Sequence, residues 1–105
     1  MKAMTPMHPP PIELVYFSGC PHVEEARAAL RVALEATGLP AEWREWDQTD
    51  LETPTRVLGY GSPTVLVGGR DVTGEAPANA GKACRADGTP PAVVIAAALN
   101  AWRTT

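Results

Sequence analysis

Two cysteines and one short turn hold most of the reactive chemistry in this 105-residue chain. Cys20 is preceded by Ser18-Gly19 and followed by Pro21-His22. Pro21 suits the first position of a helix, where its missing N–H would have no intrahelical partner. Cys20 is therefore expected at or beside a helix N-terminus, whose dipole and unpaired N–H groups favour a negative charge. A thiolate is such a charge, and the thiolate is the nucleophile and metal ligand of cysteine chemistry. Cys20 is thus the candidate nucleophile. Cys84 lies far along the chain, in a stretch without clear periodicity. Two thiolates would also suit a soft metal ion such as Hg(II), Cu(I) or Zn(II). There is neither a C-x-x-C pair nor a histidine cluster, so no closed metal cage is read and no metal ligands are assigned.

These residues need a scaffold, and the pattern supplies one. Ile12 to Phe17 is rich in β-branched and aromatic residues and reads as a strand, with Ser18-Gly19 as the turn after it. A helix is expected over Pro21 to Thr37, with Val23, Ala26, Leu30, Ala33 and Leu34 on one apolar face. Gly38 can end it in a left-handed conformation, and Pro40 follows. Ala41 to Asp47 reads as an edge strand with Trp43 and Trp46 on opposite faces. Asp50 to Gly59 reads as a short helix capped by Thr53, with Pro54 in its first turn and Val57, Leu58 and Tyr60 turned inward.

The second half is punctuated by turns. Thr64 to Val67 is an apolar strand, Gly68-Gly69 fits a two-residue hairpin turn, and Arg70 to Val72 returns. Thr73 to Gly88 reads as a long loop, of the kind that often carries function. Thr89-Pro90-Pro91 looks like a capped helix start, and the last helix runs to about Arg103 with Val94, Ile95, Ala98, Leu99 and Trp102 as its apolar stripe. The order is β-α-β-α-β-β-α. It predicts an α/β fold: a mixed four-stranded sheet with helices on both faces, the first two strands parallel through a right-handed crossover.

Composition narrows the function. Residues 1–11 hold four prolines and no periodicity and read as a flexible tail, although Met4, Met7 and His8 are soft donors; residues 12–105 form one domain. The chain is 45% hydrophobic and 20% charged, with a formal charge of −3 and no basic cluster, which argues against a nucleic-acid partner. No apolar run is long enough to span a membrane, and no signal-peptide pattern is present. A cytoplasmic location is expected. There, a pair of cysteines is more often redox-active, metal-binding or inert than structural.

The element order, the cysteine after the first strand and the Ser62-Pro63-Thr64 turn before the third strand together resemble the thioredoxin-like superfamily over Ile12 to Trp102. The family's C-x-x-C motif reads here Cys20-Pro21-His22-Val23, like the Cys-Pro-His-Cys of bacterial disulfide oxidases but with Val23 in place of the second cysteine. The resemblance implies a cis peptide bond before Pro63, beside the active thiol, and a substrate platform built from Ser62, Pro63 and Thr64. It implies a thiolate-stabilising role for His22, an exposed helix-start histidine being the alternative.

Without a neighbouring resolving thiol, the mixed disulfide on Cys20 needs another route of release. Cys20 would work alone with glutathione as co-substrate, or use Cys84 as a distant resolver, or the chain has lost redox catalysis. In the implied topology the loop after Val72 begins at the sheet edge that carries Cys20, so a Cys20–Cys84 pair is sterically permitted. Partners would be protein or small-molecule thiols and disulfides, with no cofactor beyond glutathione. The alternative is a soft-metal thiol protein. A Gly-Cys-Pro turn, a Ser-Pro-Thr-x-x-Val-x-Gly strand and a later cysteine also resemble a bacterial group linked with mercury resistance. A non-catalytic protein of the same fold is a further alternative.

Overall fold

A computed structural model describes residues 11–74 and 89–103. Four strands, β1 (Ile12–Tyr16), β2 (Arg44–Asp47), β3 (Thr64–Val67) and β4 (Arg70–Asp71), form one mixed sheet in the order β2-β1-β3-β4. β1 runs parallel to β2, with Leu14 opposite Glu45, and antiparallel to β3, with Leu14 opposite Val65. β4 returns antiparallel to β3 through the Gly68-Gly69 turn, where both glycines adopt positive φ. Two α-helices, α1 (Val23–Thr37) and α2 (Ala92–Arg103), complete the architecture.

Each element follows from its residues. β1 and β3 are the central strands, and their apolar side chains serve both faces of the sheet. Ile12, Leu14, Val65 and Val67 face the helices; Val15 and Leu66 face the other way. α1 buries Val23, Ala26, Leu30, Ala33 and Leu34, the stripe expected from the 3.6-residue period. Gly38 ends it at φ 73°, with Gly38 N–H bonding Glu35 O (3.2 Å) and Leu39 N–H bonding Leu34 O (3.0 Å). This pair of bonds is the Schellman motif, and it needs a residue that tolerates the left-handed region. Trp43 packs against the helix-side cluster and Trp46 against the opposite one, as the strand alternation requires.

The helices differ from expectation in one respect. α1 and α2 pack on the same face of the sheet, around Leu14, Leu30, Leu34, Ile95 and Leu99. The helix expected over Asp50 to Gly59 is instead a single 3₁₀ turn, Thr55–Val57. The opposite face is thus covered by that turn, with Val57 and Tyr60 against Val15 and Leu66. The reason is local. Pro54 is extended (ψ 142°), so no helix passes through it. Thr53 does not cap; its hydroxyl donates to Asp47 O at 2.5 Å. Few residues then remain before Gly59, and so short a segment gains little from helical bonding.

Smaller differences sit at element ends. β2 begins at Arg44 rather than Ala41, and β4 ends at Asp71 rather than Val72. The tail over residues 1–10 and most of the Thr73–Gly88 loop, with Cys84, lie outside the described residues. Among the described residues no helix is long and apolar enough to cross a membrane.

Candidate functional site

The site is built where β1 leaves the sheet. A β-turn over Phe17–Cys20 closes with Cys20 N–H bonding Phe17 O at 3.1 Å, and Gly19 occupies it at φ 92°. Only glycine takes that conformation cheaply, which explains the Ser18-Gly19 pair. Helical bonding begins later than the proline suggests: Pro21 and His22 form a turn, and α1 starts at Val23. Cys20 therefore precedes the helix by one short turn, and its carbonyl accepts from Val23 N–H at 3.5 Å. A proline at Pro21 is still well placed, since no helical bond is asked of it. The Cys20 side chain lies within the helix-side core and is 8% exposed.

The same end of the sheet receives the start of β3. The Ser62–Pro63 peptide bond is cis. Ser62 Oγ accepts from Phe17 N–H at 3.3 Å, which ties the strand before the cysteine turn to the residue before the proline. Thr64 Oγ1 donates to Gly61 O at 2.7 Å and closes the loop entering β3. Ser62, Pro63 and Thr64 are all buried. Cys20, Pro21, Ser62, Pro63 and Thr64 are thus gathered at one sheet edge. The burial of Ser62 sets a condition on any role as a peptide platform, because its backbone must first become accessible.

His22 looks away toward solvent and the helices. Its Nδ1 lies 3.1 Å from Glu25 Oε1, and the side chain is 40% exposed. Thr89, just ahead of α2, has its hydroxyl 3.2 Å from both His22 O and Glu25 Oε1. This contact clamps the cysteine turn to the start of the second helix. Thr89 therefore serves α1 rather than capping its own helix, whose first bonds run from Val94 and Ile95 N–H to Pro91 O.

A carboxylate supports the turn from β2. Asp47 accepts from Thr49 N–H (2.9 Å) and Thr49 Oγ1 (2.6 Å). The Thr49 hydroxyl holds its carboxyl below the usual range, and the Ser18 N–H acts in the same sense. Next to it, Gln48 N–H donates to Tyr16 O at 2.7 Å, and its buried amide donates to Val57 O and Tyr60 O. Sequence reasoning missed Asp47, Gln48 and Thr89. A polar residue at the end of a strand (Asp47, Gln48) or ahead of a helix (Thr89) is their only local signal, and it does not tell a support from a solvated surface group.

The β1–β2 pair carries its own charge network. Glu13, on the face opposite the helices, accepts from Trp46 Nε1 at 2.7 Å and from Arg56 at 3.1 Å. Arg56 holds its carboxyl below the ordinary range against the opposing effect of burial. On the helix side, Arg27 bonds both oxygens of Glu45, at 2.8 and 2.9 Å, and also pairs with Glu24. Glu45 is lowered by Arg27 in the same way.

Among the described residues no three His, Cys, Asp or Glu side chains gather as a metal-binding group. Cys84 lies outside the described residues, and so do Met4, Met7 and His8. Compared with protein-family models, curated proteins and solved structures, the chain finds no match. What the geometry defines is a class: a mixed α/β protein with a buried cysteine on the turn between its first strand and first helix.

Proposed function

We propose that the protein is a thioredoxin-like thiol–disulfide oxidoreductase or thiol transferase of the cytoplasm, with Cys20 as its nucleophile. The observation that carries the reading is the meeting of two turns at one sheet edge: the Phe17–Cys20 turn and the Ser62-Pro63 turn, joined by the Phe17 N–H to Ser62 Oγ bond. The Cys20 thiolate attacks one sulfur of a disulfide, forms a mixed disulfide, and releases the other sulfur as a thiolate. A second thiol then attacks the Cys20 sulfur of the mixed disulfide and releases the substrate as a thiolate; the disulfide left on Cys20 is reduced by further glutathione, which leaves as glutathione disulfide. That second thiol is glutathione or Cys84; Val23 cannot supply it. Burial of Cys20 means that a partner reaches it only through movement of its surroundings or with a slender thiol.

The test is reduction of a small aromatic disulfide with glutathione as the electron source. Wild type turns over, Cys20→Ser does not, and activity unchanged in Cys20→Ser overturns the reading. Cys84→Ser decides the resolver: full activity assigns release to glutathione, and trapping of a glutathione adduct on Cys20 assigns it to Cys84. Stoichiometric Hg(II) uptake that needs both thiols, without turnover, would favour the soft-metal alternative.

A further inference from the structure

A groove of about 410 Å³ lies on the helix side of the sheet, between the β3–β4 hairpin and the last turns of α2. Much of its lining is apolar: Val67 and Val72 from the hairpin side, Ala98, Ala101 and Trp102 from α2. Two alanines on the helix leave room that larger side chains would fill. The indole of Trp102 lies against Gly68, so close that a Cβ there would come within 2.5 Å of ring Cζ3. The glycine thus lets the ring settle against the hairpin, and 41% of Trp102 stays exposed. A half-open groove of this volume, apolar along much of its lining, falls in the size range of small-molecule sites.

The two charged residues in the lining differ in what they have left to offer. Asp71 is buried, and its Oδ1 already accepts from Thr73 N–H and Thr73 Oγ1, both at 2.9 Å. Arg70 is exposed, and its guanidinium makes no hydrogen bond or ion pair among the described residues. A guanidinium presents five N–H donors in a fork that matches a carboxylate. The unspent polar capacity at the rim is therefore cationic.

We propose that this groove binds a small amphipathic carboxylate, its apolar body along Trp102 and the α2 alanines and its anionic head at Arg70. The site is separate from the Cys20 turn and does not depend on the redox reading.

The experiment is an NMR titration of the whole protein with octanoate, octanol and octylammonium. Octanoate is expected to shift the amides of Val67 to Gly74 and the Trp102 indole N–H in a saturable way, and to bind more tightly than octanol or octylammonium. Arg70→Gln should weaken octanoate about fivefold, the worth of one exposed ion pair, and leave octanol unchanged. Ala101→Phe, which fills the groove from an exposed helix position, should abolish the shifts. No saturable shifts, equal affinity for all three compounds, tighter binding of octylammonium, or indifference to Arg70→Gln would each overturn the proposal. Shifts of the same residues with protein concentration alone would assign the groove to a second copy of the chain and overturn it as well.

Discussion

Cys20 is buried, yet it sits on a turn whose geometry rests on a single glycine. Gly19 has φ 92° and no neighbour within 4 Å of a would-be Cβ, so Gly19→Ala meets backbone strain without a clash. It is expected to cost about 1 kcal/mol and to alter the rate at which iodoacetamide alkylates Cys20. Alkylation followed by mass spectrometry reads that rate, and an unchanged rate would show that the turn does not position the thiol. Glu13 offers a second test at this scale. Glu13→Gln keeps an acceptor for Trp46 but removes the charge facing Arg56. The expected loss is about 1 kcal/mol in urea unfolding at pH 7, held small because Arg56 is half-exposed and can be solvated.

At the scale of elements, α1 and α2 lie side by side and point the same way. Thr89 joins their beginnings through His22 and Glu25, and Arg103 joins their ends by donating to Thr37 O at 2.8 Å. The C-terminal end of α1 depends further on Gly38. Gly38→Ala meets no steric obstacle but forces a left-handed alanine, so about 1 kcal/mol of stability is expected to be lost. This change lies at the opposite end of α1 from Cys20, so alkylation of the thiol should stay at the wild-type rate. Denaturant midpoints and alkylation rates measured together would separate the Gly19 and Gly38 effects.

For the whole molecule, stability rests on the larger core between the helices and the sheet. Leu30 is fully buried there, and Leu30→Ala should cost about 3 kcal/mol by loss of burial and creation of a cavity. That is a large share of the roughly 5–15 kcal/mol typical of a domain, and calorimetry would show it as a depressed melting temperature. Acid acts on the molecule through β1 and β2. Glu13, Glu45 and Asp47 all have carboxyl groups held below their ordinary values in the folded state. The unfolded chain therefore takes up protons first as pH falls, so stability should be steady near neutrality and decline below about pH 4, through the lowered folded values. Glu13→Gln should flatten that decline in urea titrations run across the acid range.

Much of this molecule was legible in the chain because local physics specifies it. The α1 stripe, the Gly38 terminus, the Gly68-Gly69 hairpin and the opposed faces of Trp43 and Trp46 depend on residue period and backbone freedom, which neighbours in sequence supply. The cis bond before Pro63 was expected from a resemblance and not from spacing. The 3₁₀ turn in place of a helix was not legible, because a Thr hydroxyl can accept as a helix cap or donate elsewhere, and only the fold brought Asp47 O within reach of Thr53. The Thr89 clamp, the Gln48 bonds and the Arg56–Glu13–Trp46 cluster join residues far apart in the chain. So does the groove beside Trp102, which exists only because the hairpin and α2 meet around Gly68. By itself the sequence determined which segments could be strands, helices and turns, since those choices are settled within a few residues. The tertiary structure alone decided which polar groups found partners and which surfaces closed, since each of those depends on where distant segments come to lie.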